Sequence, residues 1–178
     1  ARNVGIRHAE GDIIAFLDAD DLWPPDKLHL QLSRLKEDPE LDIVLGRVQY
    51  TGELNEVERN LKFEKEDQTV MNVNLGCGLF RREVFEEVGL FAEDLRHFED
   101  HDWFLRAREA GVRMTILPET TLLYRRHEDS TTNVDGVGKN MLPILKRSLD
   151  RRRRMNDLKD LPKFFDYDDT ESDTGHAS

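Results

Sequence analysis

The stretch that decides the fold is "IIAFLDADDLW", residues 13–23. Its apolar run leads into three closely spaced carboxylates, Asp18, Asp20 and Asp21. The run is too short for a helix, so it predicts a buried strand over residues 12–17. Ligands of open α/β sheets bind at the carboxyl ends of the strands. The three aspartates follow such an end, which makes them candidates for a ligand site.

The spacing of the aspartates leaves two interpretations open. On extended backbone, side chains two residues apart point the same way, so Asp18 and Asp20 could converge on one divalent cation. Mg²⁺ and Mn²⁺ are bound by oxygen ligands, offset the repulsion between carboxylates and keep positions that substrate phosphates fill. Alternatively, Asp20 or Asp21 caps the helix expected after Pro24, since Asp is a preferred N-cap residue.

Two helices are predicted beside this stretch. Residues 1–9 resemble the last turns of a helix, with Gly11 as its C-cap. The segment after the double proline predicts a second helix, because its leucines are spaced for one buried face, at Leu28, Leu32 and Leu35.

The remaining chain alternates between extended and helical patterns. Residues 41–50 predict a strand, and two more extended pieces are expected on either side of Pro118. Residues 99–110 predict a helix that ends at Gly111. This alternation predicts an α/β fold with a mixed, mostly parallel sheet flanked by helices.

Composition narrows the classes of partner. The 26 basic and 37 acidic residues give a net charge of −11, which disfavours binding to nucleic acid. The single cysteine, Cys77, cannot form an internal disulfide, and no run of about 20 apolar residues is present to span a membrane. We therefore expect a cytoplasmic setting, with Cys77 as a small buried residue.

Two segments resemble family 2 glycosyltransferases, nucleotide-sugar-dependent enzymes of the GT-A fold. They are "ARNVGIRHAEGDIIAFLDADDLWPPDKL" and "GCGLFRREVFEEVGLFAEDLRHFEDHDWFLRAREAG", which together span most of residues 1–127. The resemblance lies in the order ARNxG, DADD, GxF and ED. It implies a partial GT-A fold, Rossmann-like, without the strands that carry the family's "PxYN"-like and "DDGSxD"-like segments and hold the nucleobase. We accordingly expect an incomplete domain over residues 1–150 and a basic, then acidic, disordered tail over residues 151–178.

The resemblance also implies a donor site. Asp20 would coordinate the Mn²⁺ or Mg²⁺ that carries the donor diphosphate, and His127 is a second candidate metal ligand. Asp18 would contact the ribose or the sugar of the donor. Arg2 and Asn3 match the family's nucleotide-proximal helix and are assigned to donor binding.

A second pair of carboxylates opens the helix of residues 99–110. Negative charge in a first helical turn is favoured by the helix dipole, so capping is one explanation for Glu99 and Asp100. The resemblance implies instead that Asp100 is the general base and that Glu99 positions the acceptor. Asp102 is expected to be exposed, and Trp103 is expected in the core.

The implied reaction is metal-dependent, inverting transfer of a sugar from a nucleotide-diphospho-sugar donor to a hydroxyl of a glycan, lipid-linked or other acceptor, as in cell-surface polysaccharide or glycan synthesis. The arginine run at residues 151–154 would permit peripheral association with a membrane. Two alternatives remain open. "AFLDADDL" also approximates the nucleophile motif of haloacid-dehalogenase-like phosphatases, with Asp18 as nucleophile, although Leu22 departs from that motif. The chain could equally be an inactive fragment or a binding module.

Overall fold

The computed structural model describes residues 1–52, 68–95, 97–125, 137–157 and 159–169. Within these ranges, five strands and five α-helices are interspersed along the chain, which confirms the α/β class. In chain order they are α1 (Arg2–His8), β1 (Ile13–Ala15), α2 (Lys27–Glu37), β2 (Ile43–Thr51), β3 (Thr69–Val70), β4 (Leu79–Arg81), α3 (Glu83–Glu87), α4 (Glu99–Ala110), β5 (Met114–Arg125) and α5 (Val137–Arg154).

Strand β2 is the centre of the sheet. β5 pairs with it in parallel along its whole length, while β4 and β3 pair with it antiparallel, and β1 pairs antiparallel with β4. The mixed sheet is confirmed, but among the described strands the parallel pairing is confined to β2 and β5. The expected parallel majority is therefore not found in this part of the sheet.

The two extended pieces expected around Pro118 are one strand. β5 continues through Pro118 by means of an irregularity, since Leu45 pairs with Ile116 whereas Arg47 pairs with Thr120. Extra residues in β5 bulge outward at this point, which is where a strand tolerates proline. Gly46 faces the bulge, and a Cβ there would lie 2.3 Å from the Thr121 side chain.

An aromatic cluster fills the core between the sheet and α4. Trp103 is fully buried and stacks on Phe85 at a centroid separation of 4.9 Å, and Phe80 and Phe104 contact its ring edge-on. The core position expected for Trp103 is confirmed. Because α4 is fixed to the sheet by its largest side chain, its first turn has a defined position relative to β1.

The buried face of α2 differs from the one expected. Leu35 is buried as predicted, but Leu28 is exposed, and the other fully buried residues of the helix are Lys27 and Gln31. The reason is that α2 faces backbone carbonyls beside a small apolar cluster. Leu35 belongs to that cluster, and Leu32 is partly buried against it. Gln31 Nε2 donates to the carbonyls of Val44 and Cys77, each at 2.8 Å.

Lys27 completes this buried polar contact. Its Nζ donates to Gln31 Oε1 at 2.5 Å and to the Gly78 carbonyl at 3.3 Å, and it lies 5.1 Å from the centroid of the Trp23 ring. Burial lowers its pKa to about 8. Cys77 is buried as expected, and burial raises the pKa of its thiol.

The end of the described chain makes contacts with the rest of the fold. Helix α5 runs across the boundary placed at residue 150, and Arg151 pairs with Glu109 of α4. Farther on, Asp168 pairs with Arg47 at 3.0 Å and Asp169 with Arg34 at 3.1 Å. Acidic residues that suggested a disordered tail thus find cationic partners on the sheet and on α2. Within the described ranges, no helix combines the length and the apolar character that a membrane crossing requires.

Candidate active site

The aspartates after β1 lie on a turn. The strand ends at Ala15, earlier than expected, and the Asp21 N–H donates to the Asp18 carbonyl at 3.1 Å. Strand alternation therefore does not orient these side chains, and the expectation of extended backbone there was wrong. Asp18 and Asp20 are both exposed, with 58 % of the Asp18 side chain accessible.

Asp21 has a different position from its neighbours. It is buried, and its Oδ1 accepts a hydrogen bond from the backbone N–H of Arg125 at the end of β5. Burial raises its pKa to about 6, the Arg125 N–H opposes that shift, and the charges of Asp20 and Asp18 add to it. Neither Asp20 nor Asp21 caps α2, because that helix begins only at Lys27.

The end of β5 holds the turn in place. Leu22 and Leu123 exchange two backbone hydrogen bonds, at 3.1 and 2.9 Å. Arg125 Nε donates to the Asp20 carbonyl at 2.5 Å. Together with the Asp21 contact, these bonds fix the backbone of the turn while the Asp18 and Asp20 carboxylates remain in solvent.

Helix α1 joins this turn to the segment before α4. Asn3 is buried, and its amide makes a reciprocal pair with the backbone of Phe91: Nδ2 donates to the Phe91 carbonyl at 2.9 Å, and Oδ1 accepts from the Phe91 N–H at 3.0 Å. The Nδ2 also donates to Glu93. The donor contact expected of Asn3 does not fit this arrangement, because both polar ends of the side chain are used within the fold.

Arg2, the preceding residue, points towards both groups of carboxylates. Its Nη1 donates to Glu99 Oε1 at 2.6 Å, and its Nη2 lies 3.3 and 3.4 Å from the two oxygens of Asp18. The sequence identified Arg2, Asp18 and Glu99 separately, and the structure brings them together. Nothing in their spacing predicts that one guanidinium would contact both carboxylates.

An open cleft of about 560 Å³ surrounds this contact. Its wall combines charged groups with apolar side chains and comprises Ala1, Arg2, Asn3, Val4, Asp18, Phe91, Ala92, Glu93, Leu95 and Glu99. A cleft with a few convergent polar groups among apolar ones is the usual form of a small-molecule site.

Asp100 lies in the same helical turn as Glu99 but has other partners. Its Oδ1 accepts a hydrogen bond from the backbone N–H of His101 and lies 2.8 Å from Nδ1 of the His101 ring. Burial raises the pKa of Asp100, but the hydrogen bond and charge of His101, with a smaller contribution from Arg2, outweigh it and bring the pKa below its usual value. The carboxylate is therefore ionised at neutral pH.

Asp102 is not exposed, contrary to expectation. Only 2 % of its side chain is accessible, and it pairs with Arg106 and Arg151, each at 3.0 Å. A buried carboxylate needs such partners to offset its lost hydration. Arg151 comes from α5, which the pattern of α4 alone does not reveal.

The carboxylates of the turn could supply some, but not all, of the ligands of a hard divalent cation. Within the described ranges, no group of three or more metal-binding side chains occurs, and His127 lies outside those ranges. Asp18 and Asp20 nevertheless present two exposed carboxylates on one turn. Mg²⁺-type sites commonly use one or two protein carboxylates and take their remaining oxygens from water and substrate phosphates.

The chain is similar in sequence to known glycosyltransferases. Residues 1–89 match the model of a family described as "Glycosyl transferase family 2". An uncharacterized glycosyltransferase of Bacillus subtilis, EpsJ, is 31 % identical over 155 residues, covering 75 % of this chain and 43 % of EpsJ. The amylovoran biosynthesis glycosyltransferase AmsB of Erwinia amylovora is 30 % identical over 138 residues, covering 70 % of this chain and 45 % of AmsB.

The chain is also similar to solved structures. One of them is the mannosyltransferase PcManGT from Pyrobaculum calidifontis in complex with GDP-Man and Mn²⁺, at 19 % identity and a TM-score of 0.49, covering 92 % of this chain and 45 % of the neighbour. The chain thus spans about half the length of the curated relatives it matches.

Proposed function

Because the chain belongs to glycosyl transferase family 2, we propose that it takes part in the transfer of a sugar from a nucleotide-diphospho-sugar donor to an acceptor hydroxyl. The observation that carries this proposal is the meeting of Arg2, Asp18 and Glu99 at one cleft. Residues far apart in the sequence thereby bring a cation for phosphate and carboxylates for hydroxyl groups to the same place.

The turn of Asp18 and Asp20 is the proposed donor side. These two carboxylates would hold a divalent cation, Mn²⁺ or Mg²⁺, with Asp18 also accepting hydrogen bonds from donor hydroxyls. Such a cation supplies charge neutralisation for the diphosphate and for the leaving group. Arg2 provides a second positive charge beside the same turn, suited to a phosphate oxygen. His127 remains a proposed further ligand.

The first turn of α4 is the proposed acceptor side. Glu99 lines the cleft and can accept a hydrogen bond from an acceptor hydroxyl. Asp100 is the proposed general base: it is ionised at neutral pH, and both of its contacts with His101 use Oδ1. Its Oδ2 is the oxygen proposed to take the proton.

The proposed step is a direct displacement that inverts the anomeric carbon. The acceptor oxygen forms a bond to that carbon as the bond from the carbon to the donor phosphate oxygen breaks. The nucleoside diphosphate leaves with the bonding electron pair, and the hydroxyl proton passes to Asp100. A sugar hydroxyl is a weak nucleophile near neutral pH, so a positioned carboxylate raises the rate.

The acceptor and the cellular location are also proposed from membership of the family. We infer a glycan, a lipid-linked sugar or another hydroxyl compound as acceptor, a role in polysaccharide or glycan synthesis, and a cytoplasmic location with peripheral attachment to a membrane. The described end of α5, with Arg153 and Arg154 exposed beside Met155, is compatible with such attachment.

The test is Asp100→Asn in the intact protein, assayed with a panel of nucleotide sugars and Mn²⁺. We expect transfer to fall by about 10²- to 10⁴-fold, the usual share of a general base. Metal-dependent nucleotide binding, measured by calorimetry, should stay within about twofold of wild type, because Asn retains the Oδ1 contacts with His101. Asp26→Asn, an exposed change before α2, is the control and should keep both properties. Equal loss of binding and transfer in Asp100→Asn would contradict the assignment.

A further inference from the structure

The two contacts of Arg2 are unequal. The bond from Nη1 to Glu99 is 2.6 Å long, whereas the contacts of Nη2 with Asp18 are 3.3 and 3.4 Å, towards the upper limit for hydrogen bonds. The guanidinium is therefore bound mainly to Glu99, which lies on the proposed acceptor side.

These contacts are weak enough to exchange. Arg2 has 32 % of its side chain accessible and Glu99 has 27 %, so solvent screens the pair. Partly exposed ion pairs contribute little to stability, and breaking one does not disturb the fold. The backbone beneath Arg2 is held independently by the buried Asn3 amide, so the guanidinium can change partners without moving α1.

We propose that Arg2 is shared between the two halves of the cleft and couples donor binding to acceptor binding. This inference rests on the proposed function. A donor diphosphate beside Asp18 offers more negative charge than one carboxylate and can take two parallel hydrogen bonds from a guanidinium. It would draw Arg2 away from Glu99 and leave Glu99 free to accept a hydrogen bond from the acceptor.

The consequence is an order of binding. Before the donor arrives, an acceptor hydroxyl must compete with Arg2 for Glu99, so the acceptor binds weakly. After the donor has bound, that competition is gone. Linkage makes the effect reciprocal, so weakening the contact between Arg2 and Glu99 must strengthen diphosphate binding.

This reciprocity allows a test that needs no knowledge of the acceptor. The probes are UDP and GDP with Mn²⁺, and their affinities are measured by calorimetry for wild type, Glu99→Gln, Arg2→Gln and the double variant. Glu99→Gln should bind the better probe about fivefold more tightly, at the low end of ordinary coupling because the pair is partly exposed. In the Arg2→Gln background, Glu99→Gln should produce no gain.

Glu93 supplies the matched control. It lines the same cleft and carries the same charge, but it contacts Arg7 and Asn3 instead of Arg2. Glu93→Gln should therefore change affinity by less than about twofold. Equal gains in Glu93→Gln and Glu99→Gln, or a gain that persists without Arg2, would show general repulsion and overturn the coupling.

The outcomes separate the inference from the proposed function. Binding by wild type without the expected gain overturns only the coupling. Failure of every variant to bind either probe with metal overturns the proposed function and the coupling together. Glu99→Asp, which keeps the charge but shortens the side chain, is a second variant and should give a gain between those of wild type and Glu99→Gln.

Discussion

Glu99 and Asp102 stand one helical turn apart on α4, yet they belong to different regions of the molecule. Glu99 faces the open cleft and shares one arginine with Asp18. Asp102 faces the interior and has two arginines, from its own helix and from α5. The two carboxylates differ in how completely they are paired: Asp102 is buried between two arginines, whereas Glu99 is partly exposed and shares Arg2 with Asp18.

The aspartates of the turn after β1 differ in exposure in the same way. Asp18 and Asp20 are exposed, whereas Asp21 is buried against the backbone N–H of Arg125. In both acidic clusters the last aspartate is buried, with a partner from a later element, whereas the leading carboxylates are exposed or partly exposed. An acidic motif therefore contains residues that maintain the fold beside residues available to a ligand, and substitutions should separate the two kinds.

The largest effect on stability is expected at Asp102. Asp102→Ala leaves Arg106 and Arg151 partly unpaired in the interior and should lower the free energy of unfolding by about 3 kcal/mol. That value lies at the low end for a buried pair because Arg151 keeps Glu109 and Arg106 keeps the carbonyls of Val88 and Leu90. Urea denaturation followed by circular dichroism provides the measurement.

The control for Asp102 is Asp150→Ala, which removes an exposed carboxylate 4.0 Å from Arg153. Its effect should be below about 0.5 kcal/mol. If both variants lost the same stability, the distinction between interior and exposed carboxylates would fail.

A smaller, pH-dependent effect is expected at Lys27. Its pKa is about 8 in the folded protein against 10.5 in the unfolded chain, so above pH 8 the unfolded state binds more protons and stability rises with pH. The raised pKa of Cys77 acts in the opposite direction above pH 9.0, which makes pH 8 to 9 the informative window. The gain there should be about 1 kcal/mol, since one pKa unit corresponds to about 1.4 kcal/mol.

Lys27→Met tests the origin of that slope. Urea midpoints measured between pH 8 and 9 should rise for wild type and stay level for the variant. Lys36→Met, at an exposed position of the same helix, should keep the wild-type slope. A slope unchanged by Lys27→Met would mean that another group causes it.

The smallest effect on stability is expected at Asp20. The Asp20 carboxylate is exposed, and within the described residues the hydrogen bond to Asp20 reaches its backbone carbonyl. Asp20→Asn should therefore unfold at the same urea concentration as wild type. The same variant should lose most Mn²⁺-dependent nucleotide binding, as followed by calorimetry. Retained metal-dependent binding would remove Asp20 from the donor side.

The sequence predicted the parts of the fold that depend on local pattern. The α/β class, the helices predicted over residues 1–9 and 99–110 and the burial of Trp103 follow from local pattern and apolar content. Family resemblance added the two carboxylate motifs. The inward positions of Asp21 and Asp102 could not be predicted, because their partners come from β5 and α5, far along the chain.

The buried polar face of α2 is a second feature that the sequence did not predict. Leucine spacing predicted an apolar face, and Leu35 does pack on an apolar cluster, but the surface opposite the helix also presents carbonyls of Val44, Cys77 and Gly78. The sequence indicates this face only through the spacing of Lys27 and Gln31, which lie four residues apart and in line with Leu35. Their meaning depends on which backbone groups α2 faces, and only the tertiary structure supplies that information.

The pairing of Asn3 with Phe91 has a consequence for cooperativity. The side-chain amide serves as both donor and acceptor to one residue, as a neighbouring peptide unit would in a sheet. Helix α1 cannot separate from the segment before α4 without leaving that backbone N–H and carbonyl unpaired. We therefore expect Arg2 and Glu99 to belong to one unit of local unfolding, so that amide protons on either side of this contact exchange through a common opening event.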